Sequence, residues 1–484
     1  MPCTTILVGK NATNDGSTII SRNDDGAFEA KKVVVIERNK NGEKYKSKIA
    51  QLEIELPSES LRYTSIPSVN LHNGLWPAAG INEKNVSMTA TETITSNPRV
   101  VGAAPYVRFT KAKNKKEKAT PGGIGEEDLV TIILPYINRA REGVIRLGEL
   151  LEKYGTYEAN GIAFADEDEI WWVETIGGHH FIARRVEDDE VVIMPNQFGL
   201  DKFDFDDAYS KQEKNICSKD LKEFIINNHL DLNFDEFNPR YCFGSRMDSD
   251  HVYNTPRAWY LLRYFCPLRY KYDGLNPDFN PESDNIPWSF KPEKKVTVWD
   301  IKYLLSSHYQ GTPYNPYGND PLAGKYRSIG VPNSDDSQIL QIRGNYPDKL
   351  KGLEWLSLGG SGFTCCFPFF TNVSKLPKYI SGTTSKISLD NMYWASRIIA
   401  VFTDCHLHEN TVFDERYQLQ VFNKAEEILK KYEALMIKND DYSLLERVND
   451  EILKMVEEES NKVISTLLDS NSRLMKTRYH RKDN

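Results

Sequence analysis

Along residues 1–200 the apolar positions fall in short blocks, and from Leu389 onward they form long stripes. Thr4–Gly9 (TTILVG) is β-branched and apolar, Asn11–Gly16 is dense in turn formers, and Ser17–Ser21 (STIIS) is strand-like again. Two such runs around a turn predict a β-hairpin. A turn centred near Ala12–Asn14 then sets Cys3 opposite Arg22–Asp24. Val33–Glu37 predicts a further strand, and Gly161–Ala165, Ile170–Glu174, His180–Val186 and Val191–Met194 read as an antiparallel meander. Between these blocks Glu126–Tyr154 has helical spacing, with Leu129, Ile132, Ile133, Ile137, Val144, Leu147 and Leu151 on one broad face. Strands with inserted helices, rather than a repeating βαβ unit, predict an α+β fold.

Residues 201–250 are acidic and aromatic without clear period, and predict loops around one helix near Leu221–Asn228. Residues 310–345 are rich in Gly, Pro, Asn and Tyr and read as a long irregular surface or lid segment, whose tyrosines over Tyr309–Tyr326 either cap a substrate or, the favoured reading, lie at the surface. Tyr393–Thr403, Tyr417–Met436 and Tyr442–Met475 are charged and amphipathic, and predict a helical C-terminal layer ahead of a polar tail at Arg478–Asn484. The expected division is a catalytic unit over 1–388, carrying the irregular insertions 201–250 and 310–345, and a helical region over 389–484 packed on it.

Composition narrows the class of partner. The 61 basic and 69 acidic residues are well mixed, the net charge is −8, and no nucleic-acid motif is present. No basic segment followed by an apolar run marks a secretory signal, and no stretch reaches the length of a spanning helix. A cytoplasmic protein that binds neither membrane nor nucleic acid is expected; homo-oligomerisation is left open. The seven cysteines are odd in number and widely spaced, which argues for reduced thiols. Six are expected to be buried apolar groups, and Cys3 stands apart.

If Met1 and Pro2 are removed, the α-amine of Cys3 lies beside its own thiol. Such an amine has a pKa of about 7.7–8.0 and can act as a general base, so one residue supplies nucleophile and base. The return strand of the hairpin brings Arg22-Asn23-Asp24-Asp25 close. A cation there favours the thiolate, and a carboxylate can orient the ammonium.

CTTILVG followed by a Gly-Ser-Thr strand and RNDD resembles the dipeptidase A peptidases, which are N-terminal-nucleophile hydrolases. These are related to secernins and, more distantly, to penicillin V acylase and conjugated bile acid hydrolase. Gly80–Met88 (GINEKNVSM), Trp172–His180 (WVETIGGHH), Pro195-Asn196-Gln197 and Tyr253–Arg257 (YNTPR) extend the resemblance to about residue 400. It implies a four-layer αββα sandwich and a cysteine dipeptidase that needs no cofactor and no metal. Residue by residue, it implies Cys3 as nucleophile, Arg22 as the arginine flanking the thiol, and Asp25 as the aspartate orienting the α-amine. Asn196 falls in the oxyanion region and Arg257 at a second active-site arginine. Glu92 stands where the related acylases carry an asparagine donor. An ionised carboxylate cannot donate, so either the oxyanion hole is built differently or Glu92 binds the free amino end of a dipeptide. The resemblance also implies that Cys3 cuts the Pro2–Cys3 bond itself.

Other constellations carry less. His179-His180 beside Glu174 fits no zinc spacing and reads as structural histidines packed under the active site. Asp404–His408 lacks a partner cluster, and Cys365-Cys366 lacks redox spacing. Two further functions fit the same fold, an amidase or acylase acting on N-acyl amino acids or conjugates, and a catalytically silent secernin-like binding protein.

Overall fold

The computed structural model describes residues 3–26, 28–113 and 118–477. The expected removal of Met1-Pro2 and the polar tail Arg478–Asn484 therefore fall outside the described residues.

Two antiparallel sheets face one another. The first has the order β14 (Ser289–Phe290), β12 (Val191–Met194), β1 (Thr4–Val8), β2 (Thr18–Asp25), β15 (Ser334–Ile342), β16 (Gly352–Leu358) and β17 (Phe367–Phe370). The second has the order β13 (Asn215–Cys217), β11 (His180–Arg185), β10 (Ile170–Ile176), β9 (Asn160–Ala165), β8 (Ser87–Thr93) and β7 (Ala79–Ile81). Two small ribbons, β3 (Val34–Ile36) with β6 (Tyr63–Ser65) and β4 (Lys44–Lys46) with β5 (Glu53–Glu55), lie outside them. β2 packs across to β8 and β9, which closes the inner interface. On the outer face of the second sheet sit the helices Leu129–Ile133 and Ala140–Tyr154, and on that of the first the helices Thr255–Phe265, Val298–Leu305, Met392–Cys405, Leu407–Asn439 and Leu445–Arg473. The result is the expected αββα order, with the C-terminal helices forming part of the fourth layer. Among the described residues no helix is long and apolar enough to cross a membrane.

The hairpin forms as the alternation predicts. Thr5 pairs with Arg22 and Thr4 with Asn23, so Cys3 comes beside Asp24. Every residue of β1 and β2 is buried, as expected of central strands covered on both faces. Three expectations need correction. The helix over Glu126–Tyr154 is two helices, because Pro135 cannot continue the first and the chain extends through Ile137 and Arg139. The meander does not stay in one sheet: Val191–Met194 crosses to pair with β1. The irregular segment 310–345 ends in β15, nine buried residues lying between β2 and β16. Its polar residues hid it, since Asp336, Ser337 and Gln338 are paired with Asp24, Asn23 and Arg22 inside the protein. Nor are the tyrosines of that segment all at the surface, for Tyr309 is fully buried and donates its hydroxyl to Arg327 O at 2.6 Å. Residues 201–250 hold β13 and several short helices besides the expected one, which runs Leu221–Asn227.

Trp355 of β16 joins sheet and helical layer. It is 2% exposed, stacks on Phe422 at 5.0 Å between ring centres, and donates Nε1–H to Gln341 Oε1 at 2.9 Å. Trp355→Ala is expected to cost about 3–5 kcal/mol of stability, as large-to-small core changes do, read as a lower urea midpoint at unchanged slope.

Candidate functional site

Residues on one face of a strand alternate, and this sorts the hairpin into two sets. Cys3, Thr5, Arg22 and Asp24 face the second sheet, whereas Thr4, Asn23 and Asp25 face the helical side. Each set meets its own partners.

On the inner side, Cys3 is fully buried, and Arg22 Nη1 lies 3.6 Å from its Sγ. The same guanidinium reaches Glu126 Oε1 at 3.2 Å and Asp24 Oδ1 at 3.5 Å, and donates to Thr91 O and Ala78 O. Burial opposes the charge on Arg22, but the Cys3 thiol, Asp24 and Glu126 outweigh it and keep the group protonated. Lys31 Nζ closes the chain of charges at 2.8 Å from Asp24 Oδ2. Burial raises the Cys3 thiol well above its ordinary value, Arg22 pulls it back, and the carboxyls of Glu92, Asp24 and Glu126 raise it again. The thiol is therefore held protonated, and its attack on a carbonyl requires a base.

Glu92, on β8, accepts the Thr5 hydroxyl at 2.7 Å through Oε2, and its buried Oε1 meets no partner. Burial pushes its carboxyl up to about 7, against the opposing charge of Arg257. Between its ordinary value near 4.5 and about 7 the folded chain thus holds a proton that the unfolded chain has lost, so stability falls as pH rises through that window. Glu92→Gln is expected to leave the melting temperature unchanged near pH 4 and to stabilise by roughly 3 kcal/mol at pH 8. Thermal melts at the two pH values check the sign.

On the outer side, Arg257 is a buried clamp. It donates to Cys3 O, to Thr4 Oγ1 at 2.7 Å, to Asn196 Oδ1 at 2.7 Å and to Asn254 Oδ1 at 2.9 Å. Burial, with the charge of Arg327, brings its pKa down to about 10, which still leaves it cationic at neutral pH. Asn196 donates Nδ2 to Thr93 O at 2.9 Å, so Arg257 and Thr93 together fix its amide plane. Asp25 pairs with Arg327 and accepts the Ser334 hydroxyl. Burial raises its carboxyl, and Arg327 opposes the shift.

All six residues singled out from sequence thus converge on the start of β1, though on two faces of it. Sequence reasoning missed Glu126, Asn254, Arg327 and Ser334, which hold Arg22, Arg257 and Asp25. Glu126 had one visible signal: it opens the acidic run Glu126-Glu127-Asp128 behind a glycine-rich turn. Two motifs have structural duties. Asn82 donates to Leu134 O and Ile137 O and accepts from Lys84 N and Val86 N, tying β7 to the break between helices. Glu174 Oε1 accepts from Trp172, Gly199 and Leu200, which anchors the loop that follows Asn196.

The histidines and cysteines bring corrections. His179 is exposed at the β10–β11 turn with Nδ1 2.9 Å from Leu151 O, and His180 stacks on Phe224 at 4.1 Å. They pack against helices at the sheet's outer end, not beneath Cys3. Cys405 is exposed, because it faces out from the end of its helix, whereas the other five apart from Cys3 are buried. Among the described residues no three His, Cys, Asp or Glu side chains group as metal ligands.

Comparison with known proteins gives the following. The model for Peptidase family C69 matches residues 2–420. A Bifidobacterium longum protein named "Dipeptidase" is 52% identical over 427 residues, covering 86% of this chain and 80% of its own. A Streptococcus pyogenes "Probable dipeptidase A" is 43% identical over 493 residues, covering 100% of both chains. Among solved structures, penicillin V acylase from Agrobacterium tumefaciens aligns with a TM-score of 0.35 at 12% identity, covering 80% of this chain and 91% of its own.

Proposed function

This chain belongs to peptidase family C69, and from that premise we propose that it is a cytoplasmic cysteine dipeptidase whose nucleophile is Cys3, exposed by removal of Met1 and Pro2. The reading is carried by one observation: a buried cysteine immediately before a central strand, its thiol beside Arg22 and its carbonyl gripped by Arg257. Relatives named as dipeptidases, one of them similar over the whole length, support the substrate class. The cytoplasm suits a reaction that needs a reduced sulfur.

The thiol is held protonated, so the first step is its deprotonation. The α-amine of processed Cys3 takes the proton as sulfur bonds to the peptide carbonyl carbon. Arg22 stabilises the negative charge that passes through sulfur. Asn196, its amide plane fixed, is the proposed donor to the oxyanion. The C–N bond then breaks, and the Cys3 ammonium returns its proton to the leaving amine. Water, deprotonated by the same amine, attacks the thioester and restores the thiol. Asp25, bound by Arg327 and Ser334, is the proposed orienter of the α-amine. Glu92 is the proposed substrate-facing carboxyl, through its unpartnered Oε1. Arg257 holds the Cys3 backbone and acts as a positioning residue.

Intact mass of the purified protein, with and without iodoacetamide, alongside hydrolysis of a mixed dipeptide panel, tests this reading. The expected result is loss of Met1 and Pro2 and cleavage that alkylation abolishes. Full activity with Pro2 retained would overturn the α-amine as base, and release of acyl groups in place of amino acids would move the protein to the amidases.

A further inference from the structure

A cavity of about 370 Å³ adjoins the Cys3 network and shares walls with it. Asp24 and Glu126, the carboxylates paired with Arg22, line it together with Glu29, Lys31, Glu158 and Asp335. Five acids face one lysine, and that lysine is already spent, with Nζ 2.8 Å from Asp24 Oδ2 and 3.0 Å from Trp76 O. Glu158 is oriented by the Glu126 backbone, whose N–H meets its Oε1 at 2.8 Å.

Asp335 differs from the rest. It is 1% exposed, and its Oδ1 meets no hydrogen-bond partner. Burial, then the charge of Asp24, pushes its carboxyl up to about 8. A buried polar atom left without a partner is costly, and a fold that keeps one at a cavity wall calls for an explanation. The backbone makes room for it too: a Cβ on Gly26 would fall 1.8 Å from Asp335 Oδ2, so a side chain at 26 would displace the carboxyl. The remaining wall, from Trp76, Ala78 and Ala90, is largely apolar.

We propose that this cavity is the subsite for the amino-terminal residue of the substrate, with Asp335 and Glu158 receiving the free α-ammonium and the apolar wall receiving the side chain. The inference rests on the dipeptidase reading and deepens it. An ammonium supplies a donor to Asp335 Oδ1, and ion pairing holds the carboxylate ionised. An N-acylated substrate brings no charge and leaves Asp335 Oδ1 unanswered, so it is rejected. Docking the amine here brings the substrate against the thiol network, because Asp24 and Glu126 belong to both. Glu92, the sequence-based candidate for the amine, is bound to Thr5 through Oε2 and keeps only Oε1 for the substrate.

The test compares Asp335→Asn, Gly26→Ala and Glu92→Gln in the processed full-length enzyme, on a dipeptide and on its des-amino analogue. Asp335→Asn is expected to lower kcat/KM on the dipeptide about 100-fold, as loss of a buried charge partner does, and to leave the analogue within about threefold. Gly26→Ala is expected to show the same selective loss with the charge retained. Equal loss on both substrates, or selective loss in Glu92→Gln in place of Asp335→Asn, overturns the assignment and leaves the dipeptidase reading intact. Calorimetric titration of the wild-type protein removes any dependence on variant folding or on activity. Alaninamide, which carries the ammonium, is expected to bind and propionamide, its des-amino counterpart, is not; equal binding overturns the proposal. Absence of dipeptide hydrolysis by the wild type would instead refute the dipeptidase reading, and the same titration would still decide the subsite.

Discussion

Cys3→Ala abolishes dipeptide hydrolysis, with an expected loss of about 10⁴-fold or more, the scale seen when a nucleophile acting with its base is removed. The loss is chemical and not structural. Cys3 is fully buried at the start of a strand whose backbone is held by β2, by β12 and by Arg257. Alanine keeps every one of those backbone contacts, so the melting temperature is expected to stay within a few degrees. The same substitution removes the group proposed to cut the Pro2–Cys3 bond, so mass spectrometry is expected to find Pro2 still attached. Persistent activity in the folded Cys3→Ala protein would remove Cys3 from the mechanism altogether. Normal processing with activity lost would assign the cut to another agent while keeping the nucleophile.

Arg22→Met is the second large effect, and it acts on stability and chemistry together. Arg22 is fully buried and answers two carboxylates, two backbone carbonyls and the thiol. Methionine fills much of the volume but leaves Glu126 without its cation, and Asp24 with Lys31 alone. Stranding a buried charge in this way costs about 3–5 kcal/mol. The thiol, already raised by burial, loses the guanidinium that opposes that shift, and each unit of further rise makes the thiolate about tenfold scarcer. Denaturant melts and pH–rate profiles check the two parts separately. The profile is expected to move its lower limb to higher pH, which a purely structural defect would not do. Arg22→Lys is expected to restore part of the stability but not the full rate, since an ammonium cannot span Sγ, Glu126 and Thr91 O at once.

How much of this could be read from the chain is best seen in the hairpin and in β15. The hairpin was legible because apolar β-branched runs on both sides of a dense turn leave few registers within reach. It set Cys3 opposite the span Arg22–Asp24, and the structure, with Thr5 opposite Arg22 and Thr4 opposite Asn23, falls inside that span. The C-terminal helices were legible for a similar reason, since their stripes follow the helical period. β15 was not legible. Its residues Asp335, Asp336, Ser337 and Gln338 read as a polar loop, yet they are buried, with Asp336, Ser337 and Gln338 set opposite Asp24, Asn23 and Arg22 of β2. Polar patterning reports exposure only when polar groups face water, and this strand is enclosed between β2 and β16.

The six site residues divide along the same line. Cys3, Arg22 and Asp25 are local to one hairpin, and their proximity follows from its geometry. Asn196, Arg257 and Glu92 were placed through resemblance, and what each one touches came from the fold. Arg257 lies 254 residues from the carbonyl it holds, and Glu126 lies 104 residues from the arginine it pairs with. By itself the sequence determined the strand and helix pattern, the placement of a cysteine with an arginine and carboxylates at the start of a central strand, and the class of chemistry such a cysteine performs. Tertiary structure alone decided which carboxyls are paired, which are left open beside a cavity, and how far burial shifts each of them. Those properties depend on distances and on the exclusion of water across two packed sheets, and neither is encoded in any short stretch of chain.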